Sequence, residues 1–149
     1  MSLKARLSDD MKKALRAGDK ARLSTLRMAL AAIQQREVDE RIELDDVQVL
    51  AVLEKMIKQR RESAAQYRAG AREELADKEE SEIVFIADYL PEPLSDTELD
   101  ALIDKVIADS GATTLRDMGK VMGQIKRLAE GRADMGAVGG KVKARLGAA

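Results

Sequence analysis

Apolar residues recur every three or four positions along most of the chain, the period of an amphipathic α-helix. Leu3, Leu7, Met11 and Leu15 form the first stripe and predict a helix over 3–17, with Gly18 placed to stop it. Asp19 can cap a second helix over 20–38, whose stripe is Leu23, Leu26, Leu30 and Ile33. An acidic turn follows. Asp45 or Asp46 then caps a third helix over 47–69, with Leu50, Leu53, Ile57, Ala64 and Tyr67 inward, and Gly70 interrupts it. A fourth helix runs over about 72–89, with Leu75, Ile83, Ile86 and Leu90 inward. The run Ile83-Val84-Phe85-Ile86 has strand character, but it lies inside a charged helical pattern and reads as buried helical turns.

Pro91-Glu92-Pro93 is the clearest boundary, because a helix cannot continue through two prolines so spaced. Ser95-Asp96-Thr97-Glu98 is a capping box. It opens a fifth helix that runs to about 109, with Leu99, Leu102, Ile103 and Val106 inward, ended by Ser110-Gly111. Thr114 caps a sixth helix whose apolar residues are Leu115, Met118, Val121, Met122, Ile125 and Leu128, and Gly131 closes it. Asp134 starts a short seventh helix carrying Val138, Val142 and Leu146. Gly139-Gly140 weakens that helix by roughly 1 kcal/mol per glycine relative to Ala. The expected fold is all-α: a four-helix subdomain over 1–90, then a three-helix subdomain over 91–149, joined by the Pro-marked linker.

Composition narrows the chemistry. The 149 residues include no Cys, His or Trp. That removes disulfides, thiolate nucleophiles, imidazole bases and Ser–His or Cys–His machinery. Tyr67, Phe85 and Tyr89 are the only aromatics, too few for a base-stacking platform. No Gly-rich phosphate loop of the P-loop type is present. The adjacent carboxylates Asp9-Asp10, Asp45-Asp46 and Glu79-Glu80 point about 100° apart on a helix and do not converge. No catalytic residue, metal site or cofactor is expected. No apolar run is long enough to span a bilayer, and the N-terminus lacks the apolar core of a secretory signal. The expected compartment is the cytosol, without a membrane partner.

Charge is segregated along the chain. Residues 1–36 are net +6, 37–54 net −6, 55–72 net +5, 73–82 net −5, 92–111 net −5 and 112–149 net +5. The last block holds Arg116, Lys120, Lys126, Arg127, Arg132, Lys141, Lys143 and Arg145, a candidate phosphate-binding set that needs no aromatics. Its plainer reading is a solvated surface that balances the acidic fifth helix. Gly119 and Gly123 lie on one face of the sixth helix and cost roughly 2 kcal/mol together. Close packing of another helix of the chain is the favoured offset, and approach of a ligand backbone is the alternative. The block Lys55, Lys58, Arg60, Arg61, Arg68 and Arg72 faces the following acidic block if the third and fourth helices form a hairpin.

Several strings carry a resemblance. The run Asp19-Lys20-Ala21-Arg22-Leu23-Ser24-Thr25-Leu26-Arg27-Met28 closely resembles the opening signature of the GatB/YqeY family. Lys58-Gln59-Arg60-Arg61-Glu62-Ser63, the run from Glu79 to Ile83, and Tyr89-Leu90-Pro91 are similar to it in order. So are Met118-Gly119-Lys120-Val121-Met122-Gly123 and Gly131-Arg132-Ala133-Asp134. Met135 before Gly136 departs from the family's usual Gly and polar helix start, as does the Gly139-Gly140 pair.

The resemblance implies a stand-alone protein of two helical subdomains. It is related to the helical C-terminal portion of the B subunit of the glutamine-dependent tRNA amidotransferase, a portion associated with tRNA binding. The family label is carbon–nitrogen ligase with glutamine as amido-nitrogen donor. That chemistry resides in domains and subunits absent from this chain, so only the scaffold and the basic positions carry over. The expected partner is tRNA, with an aminoacyl-tRNA amidotransferase or synthetase as a further candidate. The competing expectation is a protein–protein adaptor that docks a partner enzyme through its blocked charges, without RNA.

Overall fold

The computed structural model describes residues 1–129 and 132–147. Among them are seven α-helices, one 3₁₀ turn and no strand, so the fold is all-α. The chain divides into two compact units, Met1–Leu90 and Pro91–Ala149.

The first unit holds α1 (Leu3–Ala17), α2 (Lys20–Glu40), α3 (Asp46–Ala69) and α4 (Glu73–Ala87). Local chemistry sets their ends. The Ser2 hydroxyl accepts from the Ala5 N–H, and Asp19 accepts from the Arg22 N–H. Gly18 ends α1 at φ 70°, a left-handed conformation that a side chain would resist. Asp45 and Gln48 cap α3 reciprocally. The helices α3 and α4 form a tight hairpin, α1 lies along α2, and α2 also packs on α4. The shared core contains Leu7, Leu26, Ile33, Val49, Leu53 and Ile86, all fully buried.

Two details differ from the apolar pattern. Leu15 is 54% exposed, and Ala14 takes the buried position. A stripe with steps of four residues drifts about 40° per step, whereas Ala14, seven residues after Leu7, returns to within about 20° of it. The fourth helix stops at Ala87, short of Tyr89. Tyr89 is nevertheless buried; its hydroxyl donates to Asp10 Oδ2 at 2.6 Å, and the Arg6 guanidinium lies 4.7 Å from its ring centroid. Residues 83–86 are helical, as expected from the surrounding charge pattern.

The second unit holds α5 (Asp96–Ser110), a 3₁₀ turn (Leu115–Asp117), α6 (Met118–Leu128) and α7 (Met135–Gly147). Ser95 and Glu98 form the expected capping box, and Gly111 ends α5 at φ 70°. The Asp117 carboxylate accepts the backbone N–H groups of Thr113 and Thr114, at 3.0 and 3.2 Å. The sixth helix therefore begins as a 3₁₀ turn. Leu115, in that turn, falls out of α-helical register and is exposed, as is Leu128 at the last position of α6. Gly131, expected to close this helix, lies outside the described residues.

Helix α6 packs against both α5 and α7, with Ile103, Val121, Ile125, Val138 and Val142 fully buried. Gly139-Gly140 does not break α7. A Cβ at Gly139 would only touch the Met122 and Met118 methyls, at 3.7 and 3.9 Å. The proline segment is stitched into this unit. Leu94 N–H donates to the Arg132 carbonyl at 2.8 Å, and Arg132 Nε donates to the Glu92 carbonyl at 2.9 Å.

Candidate nucleic-acid interface

The eight basic residues of the second unit separate into two groups. Lys141 Nζ donates to Asp100 Oδ1 at 2.9 Å. Arg145 reaches Asp100 at 3.0 Å and Asp104 at 2.7 Å. Lys141, and then Arg145, hold the Asp100 carboxyl below its usual range by hydrogen bonding. Arg132 spends its Nε on the Glu92 carbonyl. These three are engaged within their unit: Lys141 and Arg145 tie α7 to the acidic α5, and Arg132 holds the proline segment.

The other five, Arg116, Lys120, Lys126, Arg127 and Lys143, are exposed and make no ion pair among the described residues. Their placement follows from the helical repeat. With Val121 and Ile125 inward, Lys120, Gly123 and Arg127 fall within about 60° of one another on the opposite face of α6. Arg116 precedes them in the 3₁₀ turn. Lys120 and Arg127 are about 10 Å apart along the helix axis. Lys126 lies on the flank, and Lys143 is on the exposed side of α7.

A Cβ added at Gly119 or Gly123 would meet nothing within 4 Å. Close packing by another helix of the chain therefore does not offset their propensity cost, contrary to the favoured expectation. The outward face of α6 is bare backbone beside cations that make no ion pair among the described residues, although Lys120 lies close enough to lower Asp117 through its charge. Substitution Gly123→Ala is expected to stabilise the protein by roughly 0.5–1 kcal/mol, measured by urea unfolding. Destabilisation would mean that something packs there after all.

Acid sensitivity of this unit has a defined sign. Hydrogen bonds from Lys141 and Arg145 lower Asp100. Hydrogen bonds within the Ser95 cap lower Glu98, and the Thr113 and Thr114 N–H groups lower Asp117. Carboxyls with depressed folded values stabilise the fold above their unfolded values, and that stability is lost as pH falls through the folded ones. Resistance to urea should hold at pH 6 and decline from about pH 4.5 downward. Asp100→Asn should flatten the decline, and equal stability at pH 3 and pH 6 would contradict this coupling.

The first unit uses its charges internally. Arg60 Nε donates to Glu82 at 2.9 Å, with both side chains only 12% exposed. Arg68 pairs with Glu73, Asp77 and Glu80, and Arg72 with Glu74. The α3–α4 charge blocks thus face each other through Arg60 and Arg68, while Arg72 pairs locally at the start of α4, and Lys55, Lys58 and Arg61 make no such pair among the described residues. Ser24, Met28, Gln59, Arg60, Ser63 and Glu82 come together in one shallow cleft, where three of the resemblance strings meet. Met28 Sδ is 3.5 Å from Arg60 Nη2. No sequence signal announces that encounter, nor the pairing of Tyr89 with Asp10, since both need distant segments. Among the described residues no group of three or more carboxylates is placed to hold a metal ion. No helix among them is long and apolar enough to cross a membrane.

Known proteins extend these observations. A protein of Kluyveromyces lactis named altered inheritance of mitochondria protein 41, mitochondrial, is 36% identical over 109 residues, 70% of this chain and 58% of that protein. Its namesake in Vanderwaltozyma polyspora is 32% identical over 119 residues, covering 75% of this chain and 64% of the relative. The namesake in Pyrenophora tritici-repentis is 28% identical over 146 residues, 96% of this chain and 80% of the relative. The chain thus spans about three-fifths of the length of the first two.

These names overturn the cytosolic expectation. That expectation rested on the lack of an apolar signal core, which speaks only to the secretory route. Mitochondrial targeting segments are amphipathic and lack such a core as well. The YqeY family, described as Yqey-like protein, matches residues 4–146, nearly the whole of both helical units, and the chain belongs to that family.

Proposed function

We propose that the chain is a tRNA-binding helical module associated with glutamine-dependent tRNA amidation, and that its interface is the outward face of α6. One observation carries this reading: Lys120 and Arg127 share that face, and Arg116 lies in the turn that leads into it, all without an ion pair among the described residues and beside two open glycines. Cations not held in an ion pair bind phosphates by releasing condensed counterions. The missing side chains at Gly119 and Gly123 let a nucleic-acid backbone come close to the helix.

Residues 91–149 contain no aromatic residue. Recognition would therefore run through phosphates and shape, not through stacked bases. The chain holds and orients RNA, and the bond-making falls to a partner enzyme. The compartment suggested by the relatives' names is the mitochondrion.

Titration of labelled tRNA into the full chain at several salt concentrations tests the reading. Affinity should fall with salt, with a log–log slope of roughly −2 to −3 for three phosphate contacts. Absence of binding at low salt, or binding indifferent to salt, overturns it.

A further inference from the structure

We infer that the α2–α3 end of the first unit is a docking surface for a cationic, amphipathic segment of a partner protein. This surface is independent of the RNA reading and lies on different residues.

Three local features there oppose the stability of the isolated chain. Helix α2 closes on Glu37-Val38-Asp39-Glu40, with no basic residue in its last turn. A helix C-terminus is the negative end of the dipole, so carboxylates are unfavourable in that turn. Arg41 caps the helix at φ 55°, in the left-handed region where glycine is the usual occupant. Val38, Ile42 and Val47 are 65%, 43% and 52% exposed. Part of this is recovered: Glu37 pairs with Lys4, Glu40 with Arg36, and the Arg41 and Ile42 N–H groups close α2 on the Glu37 carbonyl, which leaves the three exposed aliphatic side chains as the feature the fold does not use.

The charges at this end are partly spent. Glu37 is paired with Lys4, and Glu40 with Arg36. Among the described residues, the carboxylates of Asp39, Asp45 and Asp46 accept only from the Gln35 amide, the Gln48 N–H and the Leu3 N–H. Glu43 makes no ion pair among the described residues. Asp39, Glu43, Asp45 and Asp46, without an ion pair among the described residues, thus lie within the same ten residues as the exposed Val38, Ile42 and Val47, and Arg41 is the one basic residue of that stretch. Buried Leu44, whose N–H donates to Glu37, pins the connecting loop, so the surface is preformed and little ordering is needed on binding.

This chemistry selects its occupant. A net-negative surface repels nucleic-acid phosphates and anionic headgroups. Exposed aliphatics rimmed by charge indicate contact with another protein. The complement is a helix with Lys or Arg around an aliphatic ridge, steered by charge and held by apolar contact.

The probe is a synthetic Lys/Leu amphipathic helix about five turns long, titrated against the full chain by fluorescence anisotropy. A matched helix with Glu in place of Lys serves as the control peptide. The Lys/Leu helix should bind in a salt-sensitive manner and the Glu/Leu helix should not. The variants Asp39→Lys with Glu43→Lys, and Val38→Ser with Ile42→Ser, should each weaken binding by about tenfold or more. Circular dichroism should show helicity retained, and Asp109→Lys in the other unit should leave binding unchanged. Binding of both variants at wild-type strength overturns the assignment. Self-association of the full chain in sedimentation, abolished by these variants, also overturns it by making the occupant a second copy.

Discussion

Replacing Arg116, Lys120 and Arg127 together with Glu is expected to weaken tRNA binding by about a hundredfold at physiological salt and to flatten its salt dependence. At about 0.15 M salt, each counterion released is worth about fivefold in affinity, so losing three phosphate contacts gives about two orders of magnitude. The choice of residues follows from the structure. Arg132, Lys141 and Arg145 belong to the same basic block, but they hold the proline segment and α7 in place. Their loss would mix unfolding with loss of binding. Arg116, Lys120 and Arg127 face solvent without an ion pair among the described residues, so helicity should survive their reversal. Reversal of Lys55, Lys58 and Arg61 is a matched control, since these exposed cations lie in the other unit and also lack ion pairs among the described residues. If the control abolishes binding while the α6 triple variant binds normally, the interface belongs to the first unit.

The second large effect concerns stability. Arg60→Met should destabilise the first unit by about 3 kcal/mol, because it leaves Glu82 shielded from solvent without its cation. Glu82→Leu should cost a similar amount by stranding the guanidinium. The double variant should recover most of the loss and lie within about 1 kcal/mol of the wild type, since apolar replacement of a shielded pair is often near neutral. Urea unfolding of the four proteins closes the cycle. Additive losses in the double variant would show that Arg60 and Glu82 act separately, through contacts such as that of Arg60 with Met28.

Most helix boundaries were legible because their causes are local. Asp19 caps α2, Ser95 and Glu98 cap α5, and Gly18 and Gly111 end their helices, each through atoms within a few residues. The apolar periodicity placed Leu26, Ile33, Leu53, Ile103, Val138 and Val142 in the two cores for the same reason. A helix repeats every 3.6 residues wherever it sits, so its inward face can be read without knowing its neighbour. The compartment was not legible, because the lack of one kind of signal does not identify a destination.

What each charge and each glycine does depended on distance in space. Lys141 and Lys143 are the same residue type, two positions apart on one helix, and the sequence assigned both to the same candidate face. Only the packing of α5 and α7 on α6 separates them: it brings Asp100, 41 residues away, to Lys141 and leaves Lys143 to solvent. The local cost of Gly119 and Gly123 was visible in the sequence, but whether a helix covers them was not, and the structure leaves them open. Propensity, capping and periodicity act over a turn or two of chain and are written in the order of residues. Ion pairing and exposure depend on which distant segments share a surface, and only the tertiary structure decides that.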